Sequence, residues 1–315
     1  MEKILITGGA GFIGSAVVNY LLEKQFVTHI LDDLSLGKNH WLNNAVKPQL
    51  HVESILNFDA CDKIFKDVRP DVVIHLAANH YIPFCEKNLY AAYNLNVVGT
   101  LNILELCKKH NIQKFFFAST GDVYAPGFAP HREVDTVSPI YVYGHTKYLG
   151  EQLCIKYFES DLKNSSVIIG RLFNAVGPRE TNPHLIPDVV KQIVAGKRRI
   201  EVGNIWPKRD FVDVFSMATI IAELTLQASG IEVINIGSGV VIEVGEALNI
   251  LKSALTEEIQ IVSIPEKQRP NDRPYLCPDV HRLKKIHGSA AQPFNLKTAQ
   301  QIFAEFNSKR EPPHL

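Results

Sequence analysis

Ile4-Leu5-Ile6-Thr7-Gly8-Gly9-Ala10-Gly11-Phe12-Ile13-Gly14, near the head of a 315-residue chain, compresses a strand, a tight turn and a helix start into eleven residues. Its glycines permit positive φ. They also let backbone N–H groups of residues such as Gly8, Gly11, Phe12, Ile13 and Gly14 approach an anion at a helix N-terminus, where the dipole favours a pyrophosphate. An ordinary strand-to-helix turn would look similar in isolation. Asp32, eighteen residues after Gly14, closes a second apolar run, where a carboxylate would accept from adenosine ribose hydroxyls. Together the loop and Asp32 predict dinucleotide binding. A carboxylate at that place repels a 2′-phosphate and no Arg immediately follows it, which selects NAD over NADP. Asp33 is expected to cap the loop, because adjacent strand residues point to opposite sides.

From this unit the pattern repeats outward. Short β-branched or aromatic runs at 4–7, 28–32, 71–75, 114–119 and 167–171 alternate with helical patterns, as strands of a parallel sheet covered on both faces should. The expected fold is α/β, a Rossmann-type doubly wound parallel sheet with a smaller C-terminal α/β substrate lobe. Residues 1–171 form the NAD-binding domain in this reading and 172–315 mainly the second lobe, with some chain near 212–236 returning to the large domain. After Arg171, Pro178, Pro183, Pro187 and Pro207 punctuate the chain, and short units stand near 233–236 and 260–264. The tail, residues 309–315, reads as frayed.

Composition narrows the partners. Lys plus Arg and Asp plus Glu are both 33, so net charge favours neither nucleic acid nor an acidic membrane surface. No apolar run approaches bilayer length, and the strand begins too early to leave room for a targeting peptide. Cys61, Cys85, Cys107, Cys154 and Cys277 are scattered without a C-x-x-C, which fits reduced thiols in a cytoplasm and predicts no metal site.

Tyr143 and Lys147 stand four apart in Tyr143-Gly144-His145-Thr146-Lys147, so a helix places both on one face. A phenol with a reference pKa of about 10 is a poor base at neutral pH, and a nearby ammonium lowers it. The same spacing also describes a solvated helix face.

In order and spacing, nearly the whole chain resembles the extended short-chain dehydrogenase/reductase family, in its nucleotide-sugar epimerase and dehydratase branch. Thr7 to Gly14 resembles the family's Gly-x-x-Gly-x-x-Gly loop and Asp32-Asp33-Leu34-Ser35 its ribose-binding strand end. His75-Leu76-Ala77-Ala78 is similar to the strand under the cofactor, and Asn96-Val97-Val98-Gly99-Thr100 to the helix that braces it. Phe117-Ala118-Ser119-Thr120-Gly121-Asp122-Val123-Tyr124 resembles the segment bearing the active-site hydroxyl, assigned to Thr120. Ser138-Pro139 followed by Tyr143 and Lys147 looks like the catalytic helix start. The family usually sets its Tyr directly after Ser-Pro; Tyr141 is thus a rival, but His145, not a lysine, lies four residues beyond it. Arg171 to Pro178, Arg209-Asp210-Phe211-Val212 and Arg269-Pro270-Asn271-Asp272 resemble the link into the second lobe and its diphosphate-binding stretches.

The resemblance implies NAD held by Gly8, Gly11, Phe12, Ile13, Gly14, Asp32, Ala77, Ala78, Ser119, Tyr143 and Lys147. It implies Thr120, Tyr143 and Lys147 as catalytic groups, with Thr120, Asn174, Arg209 and Arg269 on a nucleotide-diphosphate sugar, most simply a UDP-sugar. Alternatives remain: Asn174 as a turn cap, and Arg209 and Arg269 paired with Asp210 and Asp272. In the family, helices such as those near 88–110 and 143–158 pair across a dimer axis, so the resemblance also implies a homodimer. The leading activity is NAD-dependent nucleotide-sugar 4-epimerisation through a transient 4-keto sugar. A 4,6-dehydratase needs further acid/base groups, which in the resembling enzymes follow the threonine; here Gly121 can move no proton, and Asp122, which could instead cap a turn, reaches about 1.5 Å less than Glu. A UDP-glucuronate-type decarboxylase shares the first step, and an NAD-binding sensor or scaffold is the non-enzymatic reading. Where the family often has Gly-Asp-Ile near the adenine, this chain has Glu53-Ser54-Ile55, which leaves Ser54 or backbone for that contact. His80, Tyr81 and Cys85 fall where sugar-facing residues or a packed loop would stand.

Overall fold

β1 (Lys3–Thr7) runs through the interior of a seven-stranded sheet, hydrogen-bonded in parallel to β2 (Val27–Asp32) on one side and β4 (Val72–His75) on the other. In this computed structural model the described residues are 2–308, apart from 39–40, 43–47, 161, 163–164, 181 and 270–271. The tail at 309–315 and Pro270 and Asn271 therefore lie outside the described residues. With β3 (Gln49–Val52), β5 (Lys114–Thr120), β6 (Ser166–Leu172) and β11 (Ile231–Ile236), the sheet order is β11-β6-β5-β4-β1-β2-β3, every pairing parallel. β3 is absent from the apolar runs read above because it is a partly exposed edge strand carrying Gln49 and His51.

Alternation along the strands builds one core on each face. Ile4 and Ile6 point to the side covered by α1 (Phe12–Glu23), where Val17, Val18 and Leu21 meet Phe116, Met217 and Ile221. Leu5 points to the other side, among Phe65, Leu106, Phe115, Phe117 and Cys154. That second face is covered by α2 (Phe58–Val68), α5 (Gly99–Lys109) and α6 (Val142–Ser160). α3 (Ile82–Lys87) and α4 (Leu89–Tyr93) lead into α5 through a π-helical stretch, Asn94–Val98. All five cysteines are buried free thiols.

Beyond β6 the chain alternates between two neighbourhoods. β7 (Asn174–Val176), α7 (Leu185–Val194), β8 (Arg199–Val202) and β9 (Lys208–Arg209) precede β10 (Phe211–Asp213), which pairs with β7; α8 (Val214–Leu226) then packs on α1 before β11 joins the sheet edge. β12 (Ile242–Glu243), α9 (Val244–Ser253), β13 (Gln260–Ser263), β14 (Tyr275–Leu276), α10 (His281–His287) and α11 (Leu296–Ser308) complete it. A third core gathers Val189, Val190, Ile200, Phe211, Leu248 and Ile302. β13 pairs with β8, while β9 lies between β12 and β14. Pro187 is accommodated in the first turn of α7, where backbone N–H groups have no intrahelical partner.

Two constraints place the cleft. Gly8 has φ +69°, and a Cβ there would stand 2.7 Å from Ala77 N, so the loop can lie against the end of β4 only as glycine. On the far side, α6 is fixed to the sheet by a buried pair: Arg171 Nε and Nη2 donate to Glu151 Oε1 and Oε2 at 3.0 and 2.8 Å. Ser119 donates to the same Oε1. Removing one partner of such a pair leaves a buried charge unmatched, so Glu151→Ala should cost about 3–5 kcal/mol in urea unfolding. A loss under about 1 kcal/mol would contradict this role for the pair.

Candidate active site

One continuous cleft of about 600 Å³ runs along the C-terminal ends of the strands and into the second lobe. It is lined by Gly8, Gly11, Phe12, Ile13, Gly14, Asp32, Ala77, Ala78, Ser119, Thr120, Tyr143 and Lys147, and further on by Asn174, Arg209 and Arg269. All of these border the same space, whereas Ser54 and Cys85 do not line it.

The phosphate end suits an anion. Gly11 caps α1 without a side-chain hydrogen bond and no acidic residue occupies the first turn, so the N–H groups of Phe12 and Ile13 have no intrahelical acceptor. Asp32 Oδ2 accepts from Ala10 N at 2.9 Å and Oδ1 from Leu34 N at 2.8 Å, which ties the glycine loop to the end of β2. Burial raises its carboxyl pKa, and these two bonds oppose the rise. Asp33 Oδ1 accepts from Ser35 N, the expected loop cap. The residues fit the phosphate and ribose of a dinucleotide. At the proposed adenine contact, Glu53 and Ile55 line the cleft, whereas Ser54 does not; its hydroxyl accepts from Leu56 N instead.

Beneath the cleft a chain of buried polar groups braces the strand end. Thr100 donates to Asn96 O, which leaves its oxygen to accept from His75 Nε2 and makes His75 Nδ1 the acceptor for Thr7. Burial draws His75 to about 3, so the ring is neutral. Asn96 bridges outward, accepting from Asn79 N at 2.8 Å and donating to Asn79 O and to Thr146 Oγ1, each at 2.9 Å. It thereby locks the loop after β4 to α6.

The reactive groups sit where α6 begins. Glu86 Oε1 accepts from Val142 N at 2.7 Å and so caps the helix, while Tyr141 precedes it and does not line the cleft. Tyr143 and Lys147 occupy successive turns, both lining it. Gly144 allows the approach: a Cβ there would be 2.5 Å from Asp122 O, and the helix would be pushed off the turn at Gly121–Val123. That approach sets the Thr120 hydroxyl near the Tyr143 phenol, where it favours the ionised form.

The electrostatics differ from the expectation that Lys147 lowers the Tyr143 pKa. Burial, and then the Asp122 carboxylate, raise the phenol above its ordinary value; the Thr120 hydroxyl opposes them, and Lys147 is not among the groups acting on it. Lys147 is itself desolvated. It is 1 % exposed, its ammonium lies 4.2 Å from the centre of the Phe117 ring, and burial draws its pKa down to about 8 against Cys154 and Glu151.

Other residues depart in detail. Ser119 lines the cleft with its hydroxyl already given to Glu151, so its backbone faces the space. Asp122 does not cap its turn; Thr120 Oγ1 does, accepting from Asp122 N at 3.2 Å. The Asp122 carboxylate faces Arg273 Nε at 3.9 Å, and burial raises its pKa against the pull of Arg273 and Arg209. Arg209 pairs with Asp272 at 3.0 Å, not with Asp210, whose carboxylate is held by Ser238 and Gly239. Arg269 is exposed at the cleft edge, and Asn174 projects from β7. Cys85 is buried, its thiol donating to Asn79 O, while His80 and Tyr81 line the cleft.

Three residues were missed in the sequence. Arg273 follows directly on the Arg269-to-Asp272 stretch and is 3 % exposed, donating to Tyr124 O. Glu180 and His184, four apart just after Gly177-Pro178, join His80 at the cleft wall. Their Glu-x-x-x-His spacing was the available signal; the fold had to supply His80.

The comparisons agree with this geometry. Residues 4–237 match the model of the NAD dependent epimerase/dehydratase family. A Methanocaldococcus jannaschii protein provisionally named UDP-glucose 4-epimerase is 35 % identical over 255 residues, 79 % of this chain and 81 % of its own. A dTDP-D-glucose 4,6-dehydratase of Dictyostelium discoideum is 32 % identical over 218 residues, 63 % of this chain and 49 % of its own. Among solved structures, a UDP-glucose 4-epimerase of Thermotoga maritima with UDP-glucose superposes with TM-score 0.89 at 27 % identity, covering 98 % of this chain and 100 % of the other. With the family match spanning both the glycine loop and the Tyr143 helix, this chain belongs to the NAD dependent epimerase/dehydratase family.

Proposed function

We propose that the chain is an NAD-dependent nucleotide-sugar 4-epimerase, working through a transient 4-keto sugar on a UDP-sugar. The observation that carries this reading is that Thr120, Tyr143 and buried Lys147 line one cleft together with the glycine loop and Asp32. Bound NAD supplies a hydride acceptor and, when oxidised, a positive charge that favours a neighbouring phenolate. Gly8, Gly11, Phe12, Ile13, Gly14 and Asp32 hold its phosphate and ribose ends, and Ala77, Ala78 and the Ser119 backbone border it. Tyr143 takes the proton from the sugar C4 hydroxyl and returns it to the same oxygen once the keto sugar has turned; the hydride that bound NAD would hold goes back to the other face of C4, so no second acid is needed. Thr120 orients the sugar oxygen; Lys147 holds the phenolate. Asn174, Arg209 and Arg269 hold the nucleotide diphosphate, Arg209 being preset by Asp272.

A dehydratase must also move a C5 proton and expel water. Gly121 offers nothing for this, and the Asp122 carboxylate is turned toward Arg273. The retained Thr120, Tyr143 and Lys147 favour an enzyme over a sensor. Residues 1–171 serve as the NAD-binding domain and 172–315 mainly as the sugar lobe, with 212–236 returning to the large domain; the α8–α1 packing and the β11–β6 pairing support that division. Among the described residues no helix is long and apolar enough to cross a membrane. The five buried free thiols support a cytoplasmic enzyme. A homodimer is supported by Phe84, Leu89, Tyr90 and Val98, exposed beside α6 at 38, 53, 83 and 44 %.

Tyr143→Phe should abolish interconversion of UDP-glucose and UDP-galactose followed by NMR while NAD still binds; near wild-type turnover would sink the assignment. In the same assay Asp122→Asn should leave epimerisation within about fivefold, a change of about 1 kcal/mol in barrier. Appearance of a 4-keto-6-deoxy product in wild type, lost in Asp122→Asn, would instead establish the dehydratase. Tyr90→Glu should shift the sedimentation coefficient from dimer to monomer, and a wild-type monomer would refute the dimer.

A further inference from the structure

His80, Glu180 and His184 have no part in the hydride chemistry, yet they gather three metal-ligating groups at the cleft wall. His80 comes from the loop after β4; Glu180 and His184 lead into α7, so the cluster joins the two sides of the cleft. Their donor atoms all lie within 4.8 Å of one another. His80 Nε2 is 3.9 Å from Glu180 Oε1, and His184 Nδ1 is 3.6 Å from Glu180 Oε2. Around a tetrahedral ion with bonds of about 2.0–2.1 Å, neighbouring donors stand about 3.3 Å apart. Shifts of under about 1 Å in these side chains would close that gap, well within the reach of rotamer adjustment.

The surroundings prepare each ligand. Asn182 Nδ2 lies 2.9 Å from His80 Nε2; an amide that donates there keeps the His80 proton on Nδ1, the tautomer that ligation through Nε2 requires, and gives up that lone pair when an ion binds. The Tyr81 and His80 rings each pack against His184 with centroids 5.5 Å apart, which restrains its orientation. Glu180 lies between the two rings, with one carboxylate oxygen facing each imidazole. Two imidazoles and one carboxylate form a donor set suited to zinc, with a fourth position left open.

We propose that His80, Glu180 and His184 form a divalent-metal site of the zinc class at the cleft wall, its open position facing the cleft for water or a substrate oxygen. This site clasps the two sides of the cleft and stands independently of the epimerase reading.

The test is calorimetric titration of chelator-treated full-length protein with Zn²⁺, with metal analysis of the complex. The expected result is one equivalent per chain, retained when His281, whose side chain is 93 % exposed, is changed to Ala. His80→Ala and His184→Ala, checked for intact NAD binding, should lose saturable binding. Absence of saturable binding by the wild type, or undiminished binding by both variants, would overturn the site. Should either variant fail to fold, imidazole ¹⁵N spectra of the wild type decide: Zn²⁺ must shift both His80 and His184, and unmoved resonances refute it.

Discussion

The seating of α6 on the end of β5 is the constraint on which the active geometry depends. The Arg171–Glu151 pair anchors the helix from below, Gly144 lets its first turn touch the backbone of Asp122, and Asn96 ties its Thr146 to the loop after β4. Each contact uses a different physical device: charge, absence of a side chain, and a shared amide. Together they hold Tyr143 against Thr120 and bury Lys147 over Phe117. A shift of one ångström at this joint would separate the groups that must act together.

That arrangement gives a site whose proposed base, Tyr143, is held protonated. Desolvation disfavours the charged form of both partners, so it raises the Tyr143 phenol and lowers the Lys147 ammonium. Asp122 adds to the first effect. Lys147, drawn down only to about 8, keeps its ammonium at neutral pH, and oxidised cofactor would add a further positive charge that favours the phenolate, coupling acid/base chemistry to occupancy of the glycine-loop site. The helix N-terminus at Phe12 and the Asp32 carboxylate then bear on reactivity at the opposite end of the cleft.

Much of this was legible in the sequence because local chemistry was decisive. The glycine loop and Asp32 are specified by φ, close approach and charge over short distances, and the buried strands by unbroken apolar runs. The Tyr143–Lys147 spacing gave their shared face but not the sign of the pKa shift, since burial and the position of Asp122 arise only on folding. Likewise Arg209 finds Asp272, sixty-three residues away, and not adjacent Asp210, which is taken by Ser238. The His80, Glu180 and His184 cluster was hidden for the same reason, one member lying a hundred residues before the others.

The most direct test of the coupling is a spectroscopic titration of the Tyr143 phenol, as the difference between wild type and Tyr143→Phe, in cofactor-free protein and with oxidised or reduced NAD bound. The account predicts a pKa above the ordinary tyrosine value without cofactor, a marked fall with oxidised NAD, and a smaller one with the uncharged reduced ring. A phenol already ionised near neutral pH in the cofactor-free protein, or unmoved by oxidised NAD, would contradict it.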